Sequence, residues 1–369
     1  MFVNYIKRID SLFVTIVLLF CLFGLVMVYS ASFPISLMQH EDARFLFSKQ
    51  LQSFVIGFIL LFITAIVPYR IYGKLNPFFV MLSIFFLILI LIPGIGVERN
   101  HSQRWLHVGS LVIQPTELVK LLMIIYFSYI YAKKQEYIDD FKKGVLPPLL
   151  ILATVFLLIL KQPDLGTATA ILIPCGLILL CSGARKIHLI LLTSTAVGGI
   201  VFFALTSSYR LKRVLSFQNP FQDSDGSGYQ LVNSYYAIGN GGIWGQGLGK
   251  GIQKLGFLPE AHTDFIMAVI SEELGVFGLL IVIFSYLFIM RRGVRIAILS
   301  KDPFAKLLAI GLTFQIMTQA LFNLGAVCGL LPITGVPLPF ISYGGSSLII
   351  MLITTGILVN LSYHARKHA

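Results

Sequence analysis

LPEAHTDFIMAVISEELGVFGLLIVIFSYLFIM, residues 258–290, sets an aspartate, Asp264, directly ahead of an apolar run long enough to cross a bilayer. Upstream lies GNGGIWGQGLGKG (Gly239–Gly251), polar and rich in glycine. The chain has only 16 acidic residues in 369 and a mean hydropathy of +0.86. An ionisable group at the mouth of a membrane helix in such a chain is a candidate for chemistry.

Working outward, 57% of the residues are hydrophobic and 12% charged, whereas soluble domains carry about 25% charged residues. The composition predicts an all-α, polytopic membrane protein with no sizeable soluble domain. Ten apolar runs read as spans, near 11–29, 51–67, 77–93, 115–132, 146–161, 165–183, 187–206, 264–290, 306–326 and 346–362. The first follows Lys7 and Arg8 in the manner of a signal sequence, but Ser30-Ala31-Ser32 is a poor cleavage context, so it reads as a retained anchor.

Basic residues fix the expected orientation. With the N-terminus in the cytoplasm, well over half of the 28 lysines and arginines fall in short inner turns, including Lys142, Lys143, Arg185, Arg291, Arg292, Arg295 and Arg366. The positive-inside rule then predicts ten spans with both termini cytoplasmic. The net charge of +12 is thereby spent on topology, and no basic domain remains to hold a nucleic acid. Cys21, Cys175, Cys181 and Cys328 stand singly in apolar runs, without CxxC spacing, and read as packing residues.

The polar, non-helical sequence then crowds the outer face. The largest outer loop, about 207–263 between the seventh and eighth spans, carries Tyr209, Phe217, Phe221, Tyr229, Trp244 and Phe257, too many aromatics for a disordered linker. Residues 230–238 predict a short amphipathic helix. The glycines of 239–251 allow backbone amides to cradle an anion. A nucleotide P-loop is excluded, since Trp244 and Gly251 stand where GxxxxGK[ST] needs Gly and Ser or Thr. Asp223 and Asp225 lack the remaining ligands of a calcium loop.

Three further outer clusters bear polar groups. Arg104-Trp105-Leu106 precedes Gln114-Pro115-Thr116-Glu117-Leu118-Val119-Lys120, where Glu117 and Lys120 sit three apart on one helical face and can neutralise each other. Lys161-Gln162-Pro163-Asp164-Leu165-Gly166-Thr167 is a tight turn in which Asp164 either caps the next helix or faces Lys120 or Lys161. Leu331–Ser347, with Pro332, Pro337 and Pro339 ahead of Gly344 and Gly345, cannot continue a helix and predicts a shaped loop beside a cavity. Inside the eighth span, Glu272 lies about 80° and Glu273 about 180° around the helix from Asp264, so Glu272 is expected toward the Asp264 face. At least one of the two should pair with a polar residue across the bundle.

Taken in order, RWL, QPTELVK, KQPDLGTA, the glycine loop, LPEAHTDFIMAVISEELG and GLLPITGVPLPFISYGGSS closely resemble the SEDS family of cell-shape, division and sporulation proteins (FtsW, RodA and SpoVE), with more likeness to the FtsW and SpoVE branch. The resemblance covers the whole chain as one domain, 1–369. It implies a peptidoglycan glycosyltransferase that polymerises lipid II at the outer face of the bacterial cytoplasmic membrane, working with a class B penicillin-binding protein and other division or elongation proteins. It also implies that Asp264, the aspartate of HTDF, is the essential acidic residue.

Such a reaction joins the 4-hydroxyl of an acceptor GlcNAc to C1 of a donor MurNAc and expels undecaprenyl pyrophosphate. Asp264 reads as the general base or as a ligand to a divalent cation, Mg or Mn, or both. A pyrophosphate leaving group needs positive charge, which Arg104, Lys120 and Arg210 can supply, with glycine-loop amides as supplementary donors. Glu117, Asp164, His262, Thr263, Ser342 and Gly345 complete the expected substrate contacts. Two other readings stand beside this one, a lipid II flippase and a non-catalytic scaffold. No convincing internal repeat supports the first, and the second would leave Asp264 dispensable.

Overall fold

The computed structural model describes residues 9–99, 102–108, 111–205, 217–224, 226 and 228–367. Asp10 accepts from the Phe13 amide at 3.3 Å and caps helix α1 (Ser11–His40). This helix runs well past residue 29, keeps Pro34 inside it, and stops where Glu41 turns left-handed at φ 56°. Next come α2 (Phe45–Ile66), the single turn α3 (Arg70–Lys74) and α4 (Asn76–Leu91).

Strands β1 (Gly96–Arg99), β2 (Ser102–Val108) and β3 (Leu111–Ile113) then form an antiparallel sheet in the order β1-β2-β3, with Val97 opposite Trp105 and His107 opposite Val112. The sheet corrects the all-α expectation: the chain is predominantly helical with one small β element. Its last strand feeds α5 (Pro115–Lys133), where Pro115 takes the first helical position, at which its missing N–H costs nothing.

A π-helical turn, Phe141–Val145, leads into α6 (Leu146–Leu160), followed by α7 (Leu165–Cys181) and α8 (Lys186–Leu205). The predicted amphipathic helix is α9 (Tyr229–Gly241), which buries Leu231, Val232, Ser234 and Ala237. The long α10 (Ile266–Leu299), α11 (Pro303–Val327) and α12 (Gly345–Lys367) complete the chain. Each of the ten apolar runs overlaps a helix among the described residues, and Asn76–Leu91 and Leu165–Cys181 are among the shorter of these helices. Among the described residues, six segments are long and apolar enough to cross a membrane: α1, α2, Phe141–Leu160, α10, α11 and α12.

Helices α5, α11 and α12 are the most buried. In a bilayer there is little hydrophobic drive between helices, so close approach through small residues and interhelical polar bonds must hold them. A Cβ at Gly356 would collide with the Leu61 carbonyl, which is how α12 seats against α2. One turn further, Asn360 Nδ2 donates to the Ala65 carbonyl at 2.7 Å while its Oδ1 accepts from the Tyr69 amide at 3.0 Å. Groups left open at the C-terminal end of α2 are thereby satisfied inside protein.

Candidate active site

The site is assembled around Leu331–Ser347, whose prolines hold it out of helix between α11 and α12. Glu260 adopts a left-handed φ of 54°, and its carbonyl accepts from both the Thr263 amide (3.1 Å) and the Phe265 amide (3.2 Å). Thr263 Oγ1 donates to Glu260 Oε2 at 2.7 Å. This tight turn delivers Asp264 to the start of α10, with Phe265 buried beneath it.

Three successive carbonyls of the turn are then clamped from outside it. The His262 carbonyl accepts from the Tyr343 amide at 2.9 Å, the Thr263 carbonyl from Ser342 Oγ at 2.6 Å, and the Asp264 carbonyl from Asn323 Nδ2 at 2.7 Å. Asn323 also donates to the Val336 carbonyl at 2.9 Å, and Ser342 Oγ accepts from the Leu338 amide at 2.8 Å, so the clamping groups are themselves fixed. Asp264 is only partly buried. Gly335 comes so close that a Cβ there would sit 3.5 Å from Asp264 Oδ2, and its φ of 71° suits glycine.

The same loop gathers the other candidates. Ser346 Oγ accepts from the Gln114 amide at 3.1 Å, which ties the loop to the turn before Glu117 and Lys120. A Cβ on Gly166 would lie 2.5 Å from the Thr334 carbonyl, which ties it to the Asp164 turn. Gln50 of α2 donates to the Ser342 carbonyl and accepts from the Gly344 amide, both at 3.1 Å. Gly345 abuts Ser53 of α2. Ser342 and Gly345 therefore serve as structural ties in this geometry.

Lys120 Nζ donates to Glu117 Oε1 at 2.7 Å, and both residues are about 1% exposed. Glu117 Oε2 has no hydrogen-bond partner among the described residues. Asp164 does cap α7, accepting from the Thr167 amide at 3.0 Å and from Thr167 Oγ1 at 2.8 Å, but its cationic partner is Arg104 at 3.5 Å, not Lys120 or Lys161. Arg104 also donates to the Pro163 carbonyl at 2.7 Å. Arg210 lies outside the described residues.

The amides of the glycine loop have a different destination from the one the sequence suggested. Gly249 donates to Glu273 Oε2 and Ile252 to Glu272 Oε1, each at 3.0 Å, and the Gln253 amide reaches Glu272 Oε2 at 3.2 Å. Lys254 Nζ meets Glu273 Oε1 at 2.5 Å and Ser30 Oγ of α1 at 2.8 Å. The anion held in this cradle is the protein's own, so these amides are not open to a pyrophosphate, and Glu272 turns to the loop instead of approaching Asp264. What permits it is Gly275, whose φ of 60° and ψ of −146° break α10. The freed Glu272 and Glu273 carbonyls accept from the Gln246 and Gly247 amides, each at 2.9 Å. Pairing of Glu273 across the bundle with Ser30, over 243 positions, meets the sequence expectation. Asn323 and Gln50, amides in or at the edge of apolar runs, are positioning residues that the sequence reading passed over, and Ser346 and Lys254 stood in or beside quoted loops without being given a role.

His262 is buried against the Tyr343 ring, with centroids 5.4 Å apart. Burial pushes its pKa below the usual histidine value, and the Glu260 charge opposes this more weakly. The unfolded chain then binds a proton that the folded chain refuses, so stability contributed here is complete above about pH 6.5 and falls as the pH drops below it. A His262→Gln variant should show a shallower loss of melting temperature between about pH 6.5 and pH 5 than the parent; identical slopes would remove His262 from the effect. Asn323→Ala, which releases the Asp264 and Val336 carbonyls together, is expected to lower kcat about 10-fold or more with less change in KM, since misplacement of a reacting group is felt chiefly in the transition state. Steady-state kinetics at fixed enzyme concentration measure it.

A helical bundle with a carboxylate on a backbone-clamped turn at the mouth of one long apolar helix, and further ion pairs gathered about one irregular loop, defines a polytopic membrane protein with an ionisable site at one end. Residues 10–367 match the family described as cell cycle protein (FtsW, RodA, SpoVE), and the chain belongs to it. Stage V sporulation protein E of Bacillus subtilis is 41% identical over 357 residues, covering 97% of this chain and 98% of its own. The probable peptidoglycan glycosyltransferase FtsW of the same organism is 43% identical over 371 residues, covering 97% and 91%. Among solved structures, the rod shape determining protein RodA of Thermus thermophilus superposes with a TM-score of 0.72 at 26% identity, covering 98% of each chain. A chain from a study of how a peptidoglycan synthase complex coordinates polymerization and crosslinking gives 0.77 at 25% identity, covering 96% of this chain and 97% of its own.

Proposed function

We infer that this chain is a peptidoglycan glycosyltransferase that polymerises lipid II into β-1,4-linked glycan strands. The observation that carries the reading is the clamp on Asp264, three consecutive carbonyls of HTDF each bonded by a residue from α11 or from the loop before α12. Backbone fixed this way holds a carboxylate in place at little cost when the substrate arrives.

Asp264 takes the proton of the acceptor's 4-hydroxyl as that oxygen attacks C1 of the donor sugar; the bond from C1 to the pyrophosphate breaks, and inversion turns an α linkage into a β linkage. The departing pyrophosphate is an anion and needs no acid, only positive charge. Lys120, buried and with one donor on Glu117, supplies positive charge from within the bundle. Glu117 Oε2, without a partner among the described residues, leaves an opening for a donor from substrate or solvent. Arg104 straps the Asp164 turn and adds charge at the same end of the bundle.

Among the described residues no group of three or more His, Cys, Asp or Glu is arranged to hold a metal ion. A divalent cation, Mg or Mn, would rest on Asp264 together with the substrate's phosphates, the usual way Mg²⁺ is shared, and would supply further charge to the leaving group. The ten helices span the cytoplasmic membrane with both termini inside, by the distribution of lysine and arginine. Asp264 then faces outward, where a lipid-linked disaccharide is polymerised. The working partner is a class B penicillin-binding protein. Incubation of the purified chain and that partner, its own glycosyltransferase capacity excluded, with lipid II should yield glycan strands; lipid translocation without polymer would instead support a flippase.

A further inference from the structure

Phe277, Ile281, Phe284 and Phe288 recur three or four residues apart on α10, on one face, and line a surface groove of about 540 Å³ with Ile16 of α1 as its other wall. Ser285 is its one polar lining residue. One turn beyond, the Arg292 guanidinium lies 5.1 Å from the centre of the Phe288 ring, and Arg295 continues the same face. These arginines, with Asp10, Ser362 and Arg366, surround a second, water-sized cavity. Asp10 Oδ2 pairs with Arg292 at 3.2 Å and Arg366 at 3.4 Å, whereas Arg295 is exposed and has no hydrogen bond or ion pair among the described residues. Among the described residues Arg292 and Arg366 thus share the buried Asp10 carboxylate, and Arg295 beside them has no carboxylate partner.

We propose that the groove and the arginine cluster form a site for one anionic glycerophospholipid, an acyl chain lying along α10 and the phosphate at Arg292, Arg295 and Arg366. Basic residues at a helix end are ordinary membrane anchors. Here they cap an apolar groove on the same helix face, and the cation–π contact holds Arg292 over the groove's end. The exposed Arg295, without an ion pair among the described residues and next to the half-buried Arg292, calls for an anion. A transmembrane helix of another protein fits less well, because its own basic flank would meet three arginines. That the lipid belongs to the cytoplasmic leaflet rests on the topology proposed above; the binding itself does not.

Native mass spectrometry of the purified full chain in nonionic detergent, titrated with dioleoylphosphatidylglycerol or dioleoylphosphatidylcholine, tests the site. Phosphatidylglycerol is expected to bind more tightly, and Arg295→Gln to weaken it about fivefold while leaving phosphatidylcholine unchanged, the equivalent of about 1 kcal/mol for one basic residue at an anionic headgroup. Ile281→Trp, which fills the groove, should weaken both lipids. A photoreactive benzoylphenylalanine in place of Phe284 should label lipid in cell membranes. Equal affinity for the two lipids, phosphatidylglycerol binding indifferent to Arg295→Gln, or labelling of a polypeptide alone would each overturn the proposal. Because lipid binding is read without substrate, a chain that binds phosphatidylglycerol in this way but makes no glycan would remove the polymerase reading and leave the lipid site standing.

Discussion

Asp264→Asn is expected to reduce lipid II polymerisation about 10²–10⁴-fold, the usual contribution of a positioned general base. The substitution keeps the shape of the side chain and leaves the backbone clamp untouched, since Asn323, Ser342 and Tyr343 all grip carbonyls. Its melting temperature should therefore stay close to that of the parent, which separates lost chemistry from lost fold. Equal polymer from the two proteins would sink the assignment of Asp264. A titration with Mg or Mn adds a second readout. If Asp264 acts only as a base, the residual activity of the variant should depend on the cation as the parent's does; if it also holds the cation, the variant should need a higher concentration.

Much of the architecture was legible because a membrane leaves the sequence few options. Runs such as 51–67 and 306–326 have no way to satisfy their backbone in lipid except as helices, and they became α2 and α11. The place of Asp264 just ahead of α10 was legible for the same reason, as a charge at the edge of an apolar run. The amphipathic α9 was visible in its spacing. The sheet was not, because β1 to β3 are strands of three to seven residues whose pairing depends on one another. Nor was the end of α1 visible: Pro34 reads as a breaker, yet the helix carries it and continues to His40.

The harder loss concerned partners distant in sequence. Glycines at 239–251 announce amides that can approach an anion, and that inference was sound; which anion they meet depends on Gly275, a single glycine inside a helical run. Breaking α10 there brings Glu272 and Glu273 to the loop, and Ser30 arrives from the other end of the chain. In the same way, Asn323 could be read only as a polar residue in α11 until the Asp264 and Val336 carbonyls were seen beside it.

The Lys254–Glu273 pair should therefore be the most sensitive structural point near the site. Both residues are buried, and Glu273→Leu would strand the Lys254 ammonium with Ser30 as its only remaining polar contact among the described residues and release the Gly249 amide. Removing one partner of a buried pair costs about 3–5 kcal/mol, because the other charge is left uncompensated. Thermal unfolding in detergent should show this as a large drop in melting temperature. Lys254→Met alone should be comparably damaging. The double variant Glu273→Leu with Lys254→Met should regain much of the loss, since replacing both members of such a pair by apolar groups is often neutral or better. Additive losses would mean that the two side chains do not act as a pair. Activity discriminates further. Loop residues 246–257 lead within a few positions to Glu260 and Asp264, and the carboxylate cradle anchors them to α10 and α1. At a temperature where it stays folded, the double variant still lacks the Gly249 tie. It should polymerise more slowly than the parent with little change in KM, whereas full activity would make the cradle a matter of stability alone.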